Sequence, residues 1–340
     1  MHMADALLSP AVGTVMCAAS VAANAFAVTR IKKDDLCEKK IPIMGVMGAF
    51  VFAAQMINFT IPATGSSGHI GGGILLAAMI GSFPSLLSIS AVLIIQCLFF
   101  ADGGLLALGC NIFNMGVIPC LIVYPLIFKP LIKNGRSLGR VSAASIIAVV
   151  AGLQLGAFCV VLQTQISGVN ELPFGTFLLL MQPIHLAIGL AEGVITAAVL
   201  CFVDKMRPEI MDSTFDGAAI KNGVPIRNVV IILAVVTLLV GGALSLLASS
   251  RPDGLEWAIE KTAGAEELEA DGAVFEGAAA IQESVAFMPD YDFKDAGEDV
   301  SGIGTAVAGI VGGAITFIAA GAAAFGISIF KKKRKGATPA

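Results

Sequence analysis

Residues 70–101 read IGGGILLAAMIGSFPSLLSISAVLIIQCLFFA, a stretch without a single charge. As one straight helix it would run to ~48 Å at ~1.5 Å per residue, well beyond the ~30 Å hydrocarbon core of a bilayer. Gly81-Ser82-Phe83-Pro84 stands in its middle, and proline does not continue a helix. The stretch therefore reads as two shorter segments with a turn at Pro84. That reading fixes the topology of everything after it.

The 340 residues are 56% hydrophobic and 14% charged, with mean hydropathy +0.87. Soluble domains carry roughly 25% charged residues. The chain reads as an all-α polytopic membrane protein of about nine segments: 6–29, 42–61, 70–83, 85–101, 104–128, 141–164, 175–203, 227–249 and 302–330. With the N-terminus outside, nine segments put eighteen of the 21 Lys and Arg in inside loops and the C-terminal tail. Arg251, Lys261 and Lys294 are the three that fall outside. Merging 70–101 into one span would move Lys129, Lys133, Arg136 and Arg140 to the wrong side. The positive-inside rule thus gives a seven-segment bundle plus a two-span hairpin, N-out and C-in.

The net charge of -4 averages over segregated charges and gives no reason to expect a nucleic-acid partner. Residues 250–301 carry fourteen acids against three bases and the only tryptophan, Trp257. A composition shift near residue 205 divides the chain: 1–210 reads as a transmembrane domain, 211–226 as a cytoplasmic linker, and 227–340 as a hairpin with an acidic extracytoplasmic loop. Ala23-Asn24-Ala25 resembles a signal-peptidase site, but Met1 to Leu7 holds no basic residue and one acid, Asp5. Basic residues follow the apolar run instead, as in an uncleaved helix. The seven cysteines are scattered without a Cys-x-x-Cys and read as packing residues.

His2 beside a free α-amine is a chelator. The Met1 amine, the His2 amide nitrogen and the His2 imidazole close fused rings around one ion, three nitrogens in a plane. His69, in the glycine loop Gly65-Ser66-Ser67-Gly68-His69-Ile70-Gly71-Gly72-Gly73, is the candidate fourth. Four nitrogens in a plane suit Ni(II) or Cu(II) and can be imposed on Co(II). The nine-segment topology puts Met1, the His69 loop, Asp102 and Glu171 on one face.

Ionisable groups inside a membrane are functional by default. His185 and Glu192, seven apart, share a helix face. They either line a polar interior near the ion path or satisfy their neighbours in the bundle. Asn111 and Asn114 share another face, with Asp102 just outside them. Each of these groups can hold a ligating imidazole from behind, or bond between helices. The small residues Ala18, Ala19, Ala22 and Ala23, and the pair Gly309 and Gly313, allow close helix approach, either within the bundle or against another subunit. No Gly-x-x-x-x-Gly-Lys-[Ser/Thr] occurs, so the chain is read as a non-enzyme with no ATP hydrolysis of its own.

The chain resembles the cobalt and nickel substrate-capture (CbiM/NikM-type) subunits of energy-coupling factor transporters. The resemblance rests on Met1-His2 with Asp5 and Leu8-Ser9-Pro10, Gly68-His69, Asn111 to Gly116, and Pro183-Ile184-His185 through Glu192-Gly193, across residues 1–210. Residues 227–335, with Pro252-Asp253-Gly254-Leu255-Glu256, resemble the small two-span accessory component of such systems, here fused. The start reads Met-His-Met-Ala-Asp-Ala, where the family commonly has Met-His-Ile-Pro-Asp-Gly, which leaves the nitrogens in place. The resemblance implies an importer component of the prokaryotic plasma membrane that holds Ni(II) or Co(II), nickel favoured, through Met1, His2 and His69. It implies no permanent cofactor, a separate transmembrane coupling subunit and two ATPase subunits. The alternative is a standalone permease for a small organic solute using His185 and Glu192.

Overall fold

The computed structural model describes residues 1–31, 40–169, 172–215, 226–265, 268–294 and 302–336. Glu171, Lys32, Lys33, Lys39, Lys221 and most of the expected linker lie outside them. The helices are α1 (Pro10–Arg30), α2 (Lys40–Gln55), α3 (Gly73–Ile80), α4 (Ser82–Phe100), α5 (Leu108–Ile132), α6 (Leu138–Ser167), α7 (Phe174–Met206) and α8 (Pro208–Phe215). They continue with α9 (Ile226–Gly242), α10 (Gly254–Ala263), α11 (Ala273–Val285) and α12 (Ile303–Gly336). A two-stranded hairpin pairs Phe59 with Gly68 and Thr60 with Ser67.

Among the described residues seven helices are long and apolar enough to cross a membrane, and the molecule is a multi-pass membrane protein. The expected segments at 42–61 and 70–83 appear in shorter form. α2 has 16 residues and stops at Gln55, whose amide donates to the Gly71 carbonyl (3.0 Å). α3 has only 8 residues, all buried. Between them, residues 56–72 form a loop that carries the short hairpin, with Ser66, Ser67, Gly68 and Ile70 buried and Thr60, Pro62, Ala63 and Gly65 exposed. The break between α3 and α4 falls at Gly81 (φ 90°), not at Pro84. Gly81 adopts the left-handed backbone that reverses the chain. Pro84 then sits in the first turn of α4, where a missing N–H costs nothing.

α5 carries Pro119 and Pro125 in its middle, and residues 113–128 are wound as a π-helix. Each proline removes a donor and crowds the carbonyl four residues back. The wider winding accommodates both, an adjustment membrane helices tolerate.

α1 is the least enclosed span, with Val15, Val21 and Phe26 exposed as a lipid-facing helix requires. Its packed face is Gly13, Ser20 and Ala27, one residue every seven. Of the small residues on its other face, Ala19 and Ala23 are half-buried and Ala18 and Ala22 are exposed. α1 meets α5 at backbone distance: a Cβ on Gly109 would collide with the Cys17 backbone, and Ser20 Oγ donates to the Gly109 carbonyl (2.6 Å). α9 and α12 cross equally closely, since a Cβ on Gly309 would lie 2.6 Å from the Gly241 oxygen. α12 also packs on α2, with Phe317 against Gly45 and Thr316 against Gly48. Gly309 therefore serves internal packing.

At the ends of α2 and α3 away from the His69 loop, Lys40 Nζ donates to the Ser213 carbonyl (3.5 Å) and Thr214 to that of Met79 (2.9 Å). Nearby, Arg136 pairs with Asp204 (3.0 Å) and Asp212. Gly109→Ala is expected to destabilise the protein by ~1–3 kcal/mol through overpacking against backbone that cannot yield. Gly277→Ala, which meets open space, should stabilise slightly. Thermal unfolding in detergent checks the pair.

Candidate metal centre

The first nine residues turn inward instead of extending into solvent. Ser9 caps α1 by accepting from Val12 N (3.4 Å), and Pro10 opens the helix. Upstream, Met3, Leu7 and Leu8 are at most 1% exposed. Asn111 clamps Met3 from both sides, accepting from its N–H (2.8 Å) and donating to its carbonyl (3.2 Å). Gly104 N donates to the same carbonyl (2.9 Å), and Asp5 accepts from Ala107 N (2.9 Å). These bonds carry Met1 and His2 into the centre of the bundle.

There the Met1 amine lies 3.2 Å from His69 Nε2 and 2.5 Å from Asp253 Oδ2. His69 Nδ1 donates to the Ile70 carbonyl (3.1 Å), which leaves Nε2 as a lone pair aimed at the amine. Burial, the Met1 ammonium and His2 together push His69 down to about 3, so it is neutral at physiological pH. Two donors ~2.0–2.1 Å from a common ion, at right angles, stand about 3 Å apart. The amine and Nε2 are already near that spacing.

The His2 ring lies 5.2 Å from that of His69, centroid to centroid. Its Nδ1 faces Asp102 Oδ1 (2.5 Å), and its Nε2 is buried without a hydrogen-bond partner. A fused chelate uses Nδ1, so closing it requires the ring to turn away from Asp102. Burial raises the Asp102 carboxyl, but the charge and hydrogen bond of His2 and the Tyr291 hydroxyl outweigh it and hold it below the ordinary range.

The other sequence candidates take distinct places. Asp102 holds His2, while a backbone carbonyl holds His69. Asn111 clamps Met3. Asn114 and Gln163 pair reciprocally (2.8 and 3.0 Å) beside the Met3 sulfur. Glu192 accepts from Gly71 N (2.8 Å) and Gly72 N (2.9 Å), so it fixes the backbone just after His69. Gly72 (φ 77°) supplies the left-handed turn that aims both N–H groups at one carboxylate. His185 Nδ1 donates to the Met181 carbonyl (2.8 Å), its Nε2 is buried without a partner among the described residues, and it shares a small cavity with Met1, His69 and Asp253.

Asp253 and Tyr291 belong to this centre and were not among the expected site residues. The local signal for Asp253 is its capping box with Glu256, which announces a helix start and says nothing about the partner of its second oxygen. Burial pushes the Asp253 carboxyl up, and the Met1 ammonium and His69 more than reverse that. Above the centre lies a cavity of about 620 Å³ that reaches His2, His69 and Tyr291. Asp5, Asp102, Asp253, Glu256, Glu276 and Asp290 line it, with no Lys or Arg among its described lining residues.

Residues 2–210 match the family model described as the cobalt uptake substrate-specific transmembrane region. This chain belongs to that family. Residues 227–328 match the PDGLE domain. A putative metal transport protein of Haloquadratum walsbyi is 34% identical over 64% of this chain and 96% of its own length. The fused nickel transport protein NikMN of Rhodobacter capsulatus is 29% identical over 76% of each chain. The cobalt transport protein CbiM of Geobacter sulfurreducens is 30% identical over 71% of this chain and 67% of its own. A crystal structure of a truncated transition metal transporter superposes with TM-score 0.53 at 28% identity, covering 61% of this chain and 99% of that one.

Within this family member, Glu192 is the residue on which the His69 loop most directly leans. Glu192→Gln leaves one oxygen and turns an N–H donor toward a second donor. It is expected to cost ~1–3 kcal/mol locally, read as faster hydrogen exchange at Gly71 and Gly72 with the α6 amides unchanged.

Proposed function

We propose that this chain is the ion-binding, substrate-specific component of an energy-coupling factor importer for Ni(II) or Co(II). The observation that carries the reading is the 3.2 Å approach of the Met1 amine to His69 Nε2 in the bundle interior. Free amines are strongly hydrated, and this one is buried against an imidazole nitrogen. Family membership and the names of the relatives support a transition-metal cargo. The fused relative from Rhodobacter capsulatus is named for nickel, and a four-nitrogen plane suits Ni(II), so nickel is favoured over cobalt.

In this reading residues 1–210 form the capture bundle, 211–226 the linker and 227–340 the accessory hairpin, with the N-terminus outside and the C-terminus inside. The hydrated ion enters the acidic cavity, where carboxylates raise its local concentration. It exchanges water for the Met1 amine, the His2 amide and imidazole nitrogens and His69 Nε2. The amine gives up its extra proton, the His2 amide loses its hydrogen, and the His2 ring turns from Asp102. A transmembrane coupling subunit and two ATPase subunits supply the energy for release.

The rival reading, an organic-solute permease centred on His185 and Glu192, finds little room. The cavities at those residues measure about 10 and 20 Å³, and both Glu192 oxygens are engaged by backbone N–H groups.

A Ni(II) titration of the purified protein tests the proposal. One residue added before Met1 moves the amine out of chelating position and leaves every side chain intact. Tight binding should disappear in the extended protein, and its persistence would sink the four-nitrogen plane. Affinity should also fall steadily as pH drops below neutral, because the amine and the amide must shed protons. A pH-independent affinity contradicts the chelate.

A further inference from the structure

The carboxylate nearest the Met1 amine comes from the PDGLE region. Asp253 Oδ2 stands 2.5 Å from the amine nitrogen and 4.0 Å from His69 Nε2, with its side chain 14% exposed. An ion ~2.0–2.1 Å from both of those nitrogens must lie roughly 2 to 4 Å from Oδ2, given the 3.2 Å between them. No placement on the two nitrogens puts the ion far from this oxygen.

Charge gives the carboxylate a role there. A divalent ion bound by a neutral amine and a deprotonated amide keeps one net positive charge, and an unpaired buried charge is costly. Glu192 is spent on Gly71 and Gly72, and Asp102 keeps the Tyr291 hydroxyl on its Oδ2 once His2 turns away. Asp253 balances the ammonium of the empty site, and the same negative charge balances the ion that replaces it.

The segment is built to present that oxygen. Asp253 Oδ1 accepts from Leu255 N (2.7 Å) and Glu256 N (3.0 Å), while Glu256 accepts from Asp253 N (2.8 Å). The cap consumes one oxygen and leaves Oδ2 for the centre. Ser67 N donates to the Pro252 carbonyl (2.8 Å) and Ser67 Oγ to that of Arg251 (2.7 Å), two residues before His69. Trp257 Nε1 donates to the Thr64 carbonyl (3.0 Å). A Cβ on Gly254 would meet Ile188 at 3.0 Å and His185 Cε1 at 3.3 Å, so the turn is pressed against α7.

We propose that Asp253 is a residue of the metal centre supplied by the PDGLE segment: Oδ2 faces the bound Ni(II) or Co(II) as its counter-charge and apical oxygen, so capture needs both matched regions. This rests on the metal reading above.

The test is a Ni(II) titration of the full chain with its native N-terminus, compared with Asp253→Asn. Asparagine caps a helix as well as aspartate does, so the substitution removes charge and spares the turn. Trp257, the only tryptophan, reports by its emission whether the segment stays docked. Expected are a 10- to 100-fold weaker affinity, the range seen when a group supporting a metal ligand is lost, and a shifted ligand-field spectrum of bound Ni(II). Asp253→Ser, a second neutral cap, should behave alike. Unchanged affinity in both variants overturns the proposal, as does weaker affinity with an unchanged spectrum. The protein extended before Met1 separates the two readings. If the extension abolishes binding and Asp253→Asn does not, the nitrogen plane stands and the role of Asp253 falls. If neither weakens binding, the four-nitrogen plane falls with it.

Discussion

The buried α-amine of Met1 is the constraint around which this molecule is arranged. An ammonium placed among apolar helices demands a counter-charge and hydrogen-bond partners, and here it has Asp253 and His69. To bring it there, the chain spends the backbone groups of Met3 on Asn111 and Gly104, buries Met3, Leu7 and Leu8, and delays α1 until Pro10. α1 and α5 then cross closely at Gly109.

The second partner, His69, stands on a loop that regular secondary structure cannot hold. Such backbone inside a membrane protein survives when the protein itself satisfies its polar groups. Glu192 takes the N–H groups of Gly71 and Gly72, Gln55 takes the Gly71 carbonyl, and the 251–257 segment takes Ser67 and Thr64. The short α2 and α3 are the consequence: each surrenders helical turns so that the loop between them can reach the amine.

The two matched regions are consequently one physical object at the centre. The helix hairpin α9 and α12 packs on α2, and the turn before α10 delivers a carboxylate beside the Met1 amine, 4.0 Å from His69 Nε2. The acidic composition of residues 250–301 acquires a location as well, since Asp253, Glu256, Glu276 and Asp290 face the outer cavity rather than open solvent alone. Burial, and after it the neighbouring Asp253, push the Glu256 carboxyl up.

Much of this was legible in the chain itself. Hydropathy and the distribution of Lys and Arg determine a polytopic helical protein, because the bilayer core admits only long apolar helices and basic loops resist translocation. His2 beside an α-amine, and His69 among glycines, stand out as candidate nitrogens, and the fold brings the amine and His69 together. The glycine break at Gly81, the packing face of α1 and the turning of the His2 ring toward Asp102 were not legible, because each depends on which neighbour arrives. Asp253 is the clearest case. Sequence marks it as a helix cap, a local role that fully explains its presence, while its second oxygen meets an amine 252 positions away. Charge pairing across such a separation is decided by packing, and only the folded bundle supplies that.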